Sequence, residues 1–332
     1  MACLETSREP GDFLVSAAAW LTELSGWLSY GSFFLVFACC YAVVVLGLNL
    51  QWGSTGLFNV GVAGFVAIGA YTSALLTTPA APDRLAGYGW PVALGWLAAM
   101  LACGAAAALI GLVALRLRDD YLAITTFGIA VTIQLLANNA QRLTGGPFGV
   151  QFIPKPMQAW LGTGLVWTLA YLALAAAVLL LVYLALQRLQ RSPWGRVLRA
   201  IREDEDAAAA LGKRAFAFKL QSFVIGSMLM GLGGAMVAHF VGYVAPEDFL
   251  PILTFQIWAM LIVGGAGNNR GAVLGAFIVW GFWSAAGALL RDWVPQAEQA
   301  RAAALQVVLI GLLIAGMLVL RPRGLIGASH HG

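Results

Sequence analysis

Three stretches of this sequence set polar side chains beside glycine in patterns that could do chemistry. The first places Asn49, Gln51, Thr55 and Asn59 next to Gly61 and Gly64, where two apolar runs meet. Lipid cannot satisfy amides and hydroxyls, so such backbone is tolerated at membrane depth only inside protein or along an aqueous cavity. A translocation path is one reading; close helix packing, which glycine permits, explains the pattern equally well. The second stretch, Gly265, Gly267, Asn268 and Asn269, repeats the arrangement in the other half of the chain. There Gly267, Gly271 and Gly275, spaced by four, offer a smooth stripe to another helix. Two similar breaks hint at an internal repeat. The third stretch, Thr144-Gly145-Gly146-Pro147, is turn chemistry first and a binding loop second, expected as an outer re-entrant turn.

A different pattern fills residues 187–218, which run basic, then acidic, then alanine-rich. Glu203, Asp204, Glu205 and Asp206 suit a helix N-terminus, Ala207 to Leu211 are strong helix formers, and Gly212 before Lys213 and Arg214 suits its end. A short helix with a small-residue face including Ala208 is shaped to enter a partner's groove, with flanking charges to orient it; a solvated loop is the plainer alternative. Nothing in the chain supplies catalysis: G-x-x-x-x-G-K-[ST], H-E-x-x-H and G-x-S-x-G are all missing, and no acid pair or nucleophile with a base falls in an apolar run. No metal site is expected. Cys39, Cys40 and Cys103 read as apolar filler, Cys3 lies in the polar N-terminus, and His239 reads as a helix-to-helix contact before it reads as a gate.

The elements that must carry these groups follow from composition. Of 332 residues, 61% are apolar and only 10% charged, against roughly 25% charged in soluble domains. A soluble enzyme or nucleic-acid-binding domain is excluded, and the scattered excess of positive charge reads as membrane topology. Runs near residues 32–50, 54–78, 91–115, 121–141, 160–186, 219–241, 253–267, 271–290 and 303–320 predict an all-α polytopic membrane protein with about nine spans, eight to ten in all. The weakest are 54–78, 121–141 and 253–267. The spans carry almost no ionisable groups, which argues against a proton-coupled carrier; a sodium-coupled carrier, whose site is built from carbonyls and hydroxyls, or a channel stays open as a lesser alternative.

Alternating sides across nine spans gathers thirteen of the nineteen Lys and Arg residues with residues 187–218, Arg321 and Arg323. The positive-inside rule then puts the N-terminus outside and the C-terminus inside. Residues 1–30 are expected as a polar and interfacial segment without a cleaved signal, with a helix over 13–28 leading into the first span. Residues 31–325 would form the membrane domain, and 326–332, with His330 and His331, a cytoplasmic tail.

Four motifs together carry a resemblance: Leu46 to Gly61 with Gly69-Ala-Tyr-Thr-Ser73; Tyr121-Leu-Ala-Ile-Thr-Thr with Leu143-Thr-Gly-Gly-Pro147; Gly195-Arg-Val-Leu-Arg-Ala-Ile-Arg-Glu-Asp-Glu205 on to Gly212; and Leu261-Ile-Val-Gly-Gly-Ala-Gly267 with Gly271-Ala-Val-Leu-Gly-Ala276. Over roughly residues 30–325 the chain resembles the inner-membrane permeases of bacterial branched-chain amino acid ABC importers, the LivM type. The resemblance implies a type II importer fold with Gly-rich broken helices in the bacterial inner membrane. It also implies a sister permease, cytoplasmic ATP-binding subunits holding ATP and Mg, and a periplasmic substrate-binding protein. No cofactor sits on this chain in that scheme. Asp206-Ala207-Ala208, three residues, then Gly212 matches the family's EAA-x3-G coupling pattern with Asp in place of Glu and without the usual downstream Leu-Pro. The second position of Gly61-Val62-Ala63-Gly64 is often His in the family and is Val here. The implied cargo is a branched-chain or other small neutral amino acid; urea and short amides stay open.

Overall fold

The computed structural model describes residues 10–80, 87–293, 299–321 and 324–326. The polar segment 1–9 with Cys3, together with Arg84, Arg323 and the tail 327–332, lies outside the described residues. In chain order the helices are α1 (Pro10–Leu48), α2 (Val62–Thr77), α3 (Val92–Ala114), α4 (Asp119–Asn139), α5 (Gln141–Thr144), α6 (Gln158–Leu161), α7 (Leu165–Arg191), α8 (Pro193–Glu203), α9 (Glu205–Ala210), α10 (Ala215–Val241), α11 (Pro251–Gly264), α12 (Asn269–Trp293) and α13 (Gln299–Leu320). A π-helical turn, Asn49–Gly53, closes α1, and 3-10 turns cover Gly146–Phe148 and Pro246–Phe249. No strand forms among the described residues; one isolated bridge joins Val150 to Val244.

Six helical segments are long and apolar enough to cross a membrane: Leu28–Gly53, Val92–Ala114, Asp120–Asn139, Leu165–Arg191, Ala215–Val241 and Asn269–Leu290. The expectation over 121–141 therefore stands at full length. Runs 54–78 and 253–267 contain shorter helices, Val62–Thr77 and Pro251–Gly264, and the last run is apolar over Ala304–Met317. Left-handed backbone sets the limits. Gly56 at φ +79° interrupts the chain before α2, and Gly265 at φ +106° ends α11. At 1.5 Å per residue, 16-residue α2 reaches about 24 Å and 14-residue α11 about 21 Å, short of a hydrocarbon core of about 30 Å. The helix expected over 13–28 runs without interruption into the first span, as one 39-residue helix.

The long helices α1 and α10 form the centre, each with 72% of its most apolar stretch buried, against 17–33% for α3, α4, α7 and α12. The outer four turn leucines outward, among them Leu109, Leu181 and Leu289. Central packing rests on glycine. A Cβ added to Gly69 of α2 would lie 2.1 Å from the Gly231 carbonyl oxygen of α10, and one on Gly226 would lie 2.6 Å from the Gly47 carbonyl oxygen. The expected stripe is divided: Gly271 and Gly275 press against Gly264 of α11, while Gly267 meets Gly53. Leu325 and Ile326 return to donate backbone N–H groups to Val263 and Gly264, which sets these two residues beside the second break.

Candidate functional site

The two glycine-rich breaks, far apart in sequence, meet at one end of the bundle. The Asn49 side chain accepts the Gly267 N–H at 2.8 Å and donates to Asn269 Oδ1 at 2.8 Å. Asn269 donates on to Gln190 Oε1 at 2.9 Å, and Gln190 Nε2 donates to Ser54 Oγ at 3.0 Å. Gln51 donates to the Phe223 carbonyl at 2.8 Å and accepts from Asn59 Nδ2 at 2.8 Å. Thr55 shares a 2.7 Å bond with Ser222. The Asn59 carbonyl accepts from the Trp258 indole N–H at 3.0 Å. Asn49, Gln51, Thr55, Asn59 and Asn269 are all buried, so these amides are satisfied inside the protein, as buried polar groups must be. Gly61 and Gly64 press on Thr126 and Ala130 of α4, Gly265 lies against Gly324, and the Asn268 side chain accepts the Arg270 N–H at the start of α12.

The alanine-rich stretch forms one short helix, α9, and the basic stretch before it forms a second, α8. Helix α8 buries Gly195, Leu198 and Ile201 and turns its charged residues outward. The side chain of Asp204 caps α9 by accepting the Ala207 N–H at 2.9 Å, and Glu205 pairs with Lys219. Ala208 points inward, into a small cluster with Ile201 and Ala215. The outward surface is therefore Asp206, Ala207, Ala209, Ala210 and Leu211, with Leu211 80% exposed; Glu203 is exposed too, and Gly212 at φ +77° ends the segment. Arg202 reaches back from α8 to donate to the Gly53 carbonyl at 2.6 Å, and Arg199 donates to the Gln190 carbonyl at 3.1 Å.

At the opposite end, Thr144 bonds the Ala137 carbonyl at 2.6 Å, Gly145 and Gly146 are left-handed, and Pro147 sits in the following 3-10 turn. This turn braces residues 242–249, since a Cβ on Gly149 would lie 1.9 Å from the Val244 oxygen. His239 is a staple: its ring nitrogens bond Ser73 Oγ at 2.8 Å and the Pro154 carbonyl at 2.7 Å. Beside it a cavity of about 280 Å³ opens between α1, α2, α10 and residues 243–253, with Asp248 in its wall. None of the break residues lines that cavity. Burial raises the Asp248 carboxyl above its ordinary range against the lowering effect of its bond from the Ala245 N–H, and neighbouring Glu247 adds to the rise. Asp248 is itself solvent-exposed while lining the cavity. No cluster of three His, Cys, Asp or Glu side chains suited to a metal occurs among the described residues.

A family model described as branched-chain amino acid transport system, permease component, matches residues 31–318. The chain belongs to this family. It is 33% identical over 335 residues to the high-affinity branched-chain amino acid transport system permease protein LivM of Escherichia coli strain K12, covering 94% of this chain and 73% of that protein. It is 28% identical to the probable branched-chain amino acid transport permease LivM of Methanocaldococcus jannaschii, over 74% of this chain and 77% of that one. The LivH permease of Escherichia coli strain K12 is 25% identical, over 72% and 79% of the two chains. No solved structure matches. All break, loop and turn residues of this branched-chain permease family member fall inside the matched region.

Three residues of this permease escape sequence reading. Arg202 and Gln190 look like loop charge and span-end polarity, and only folding brings them to Gly53 and Ser54. Asp248 falls between the apolar runs 219–241 and 253–267; the Pro246-Glu247-Asp248 turn just before a short apolar helix is the signal that could have found it.

Proposed function

We propose that this chain is the permease subunit of an ABC importer for branched-chain amino acids, without an ATPase site of its own. ATP and Mg act on cytoplasmic subunits that grip α9, a sister permease completes the path, and a periplasmic binding protein delivers the cargo. The carrying observation is the contact of the α7–α8 corner with the first break: Arg202 of α8 on Gly53 and Gln190 at the end of α7 on Ser54. A push on α9 shifts α8 as a rigid lever and pulls on the π-helical turn, where Asn49 holds both breaks together. The break residues, from Asn49 to Gly64 and Gly265 to Asn269, act in this reading as the seal at the cytoplasmic end of the path. The turn at Thr144–Pro147 braces its outer end.

The family match and the LivM and LivH relatives support this reading, as does the clustering of basic residues around α8. Nine traversing segments, six long and three short, give a type II-like arrangement with the N-terminus outside and the C-terminus inside. That orientation is supported by Ile326 returning to Gly264, at the same end as α8. The two short helices α2 and α11 flank the breaks, as the discontinuous helices of transporters do.

Two substitutions test the coupling. Leu211→Asp adds a charge to the outward face of α9 and leaves its packing alone, so ATPase subunits should fail to co-purify and ATP-driven leucine uptake into proteoliposomes should fall to background. Normal assembly of this variant would refute docking on α9. Ala208→Arg is the wrong probe, because its side chain would enter the Ile201 and Ala215 cluster. Arg202→Ala should keep assembly and ATP hydrolysis but lower uptake about tenfold or more, since a charge-assisted hydrogen bond contributes about 1.5–3 kcal/mol. Unchanged uptake per ATP would remove Arg202 from the route.

A further inference from the structure

The cavity at the end away from α8 has a composition that selects its ligand. Phe33, Phe37 and Tyr41 of α1 and Phe249 and Leu253 form apolar and aromatic walls, and Asp248 supplies a single carboxylate. One of its oxygens, Oδ2, accepts from the Ala245 N–H at 2.9 Å. Among the described residues no Lys, Arg or His pairs with Asp248. Asp248 is solvent-exposed beside these apolar walls; a carboxylate so placed attracts a cation, and aromatic faces favour organic ammonium over a hydrated metal ion. The volume, about 280 Å³, sits at the lower limit of the roughly 300–1,000 Å³ usual for small-molecule pockets. It therefore suits a molecule of a few heavy atoms with an apolar branch. The walls carry no cation to hold a second acid group, so the carboxylate of such a ligand stays in the wet mouth.

We propose that this cavity is the intake site of the permease, receiving an aliphatic amino acid with its ammonium group on the Asp248 carboxylate and its side chain among Phe33, Phe37, Phe249 and Leu253. The assignment rests on the importer reading above and adds a position to it. Tyr41 in the cavity wall and Asn49 in the seal lie eight residues apart on the α1 axis, about 12 Å at 1.5 Å per residue. Cargo held on Asp248 thus stands one helix segment above the closed breaks. The site lies within one permease subunit, so each copy of this chain in an assembled importer would carry its own.

Binding of tritiated leucine to the complete permease and ATPase complex in nanodiscs, without the binding protein, tests this. Leucine and 3-methylbutylamine, which keeps the ammonium and the branch, should compete for one site, and 4-methylpentanoate, which lacks the ammonium, should not. Asp248→Asn should weaken leucine binding at least tenfold in a complex that still assembles. Val241→Trp, which fills the cavity and leaves Asp248 in place, should weaken it similarly. Wild-type affinity in both variants, equal competition by the acid, or import without any such binding overturns the cavity assignment alone. Failure of the wild-type complex to import any branched-chain amino acid with its binding protein present overturns the importer reading instead.

Discussion

Asn49→Leu should leave a protein that melts well below the native form and imports nothing. The substitution keeps the branched four-atom side chain, with two methyl groups in place of the amide oxygen and nitrogen, and so removes both the donor and the acceptor. Two partners then lose their bonds: the half-buried Gly267 N–H and the buried Asn269 Oδ1, each now 2.8 Å from Asn49. An orphaned buried polar group costs about 1–3 kcal/mol, so Asn269 alone takes a large share of an ordinary folding free energy of about 5–15 kcal/mol, and the half-buried Gly267 N–H adds less. Loosened Asn269 also frees Gln190, the residue that ties the α7 end to Ser54. Thermal denaturation in detergent and uptake in proteoliposomes read the two effects separately. A variant with native melting and native uptake would show that the junction of the breaks carries neither stability nor transport.

Gly69→Val should keep the chain from accumulating in the membrane at all. The new Cβ would stand 2.1 Å from the Gly231 carbonyl oxygen and 2.3 Å from its Cα. Both obstacles are backbone of the central helix and cannot rotate away, so α2 and α10 must part. Overpacked cores lose about 1–3 kcal/mol when side chains can yield; here they cannot, and the cost should reach or exceed the top of that range. Gly128→Ala is the matched control, because nothing lies within 4 Å of its added Cβ and helix propensity favours alanine over glycine by about 1 kcal/mol. Membrane yields by immunoblot should move in opposite directions. Equal yields would mean that the glycine contact is not what sets the spacing of α2 and α10.

The all-helical membrane class, the positions of both breaks and the short helix within residues 187–218 are legible in residue order, because each depends on local composition. What local composition cannot report is who meets whom. Asn49 and Asn269 are 220 positions apart, and Arg202 and Gly53 are 149 apart. Read alone, Arg202 is one of many loop charges. The amides at 49–59 fit a path or a packing role until their partners are known, and the partners prove to be the protein's own groups. Helix length is not legible where hydropathy continues through a left-handed glycine: Gly56 and Gly265 bound short helices without interrupting the apolar run. Ala208 is inward because α9 packs on Ile201 of the preceding helix, a contact that consecutive alanines do not announce.

The burial contrast between the central pair and its surroundings also bears on the lipid the protein tolerates. Helices α3, α4, α7 and α12 turn most of their apolar surface outward, where acyl chains can reach it, whereas α1 and α10 are mostly screened by their neighbours. A thinner or thicker bilayer is accommodated by tilt of the lipid-facing helices, at fractions of a kcal/mol per ångström of mismatch. The axis of the molecule should thus keep its geometry across membranes of differing chain length, with the peripheral ring acting as a mechanical buffer.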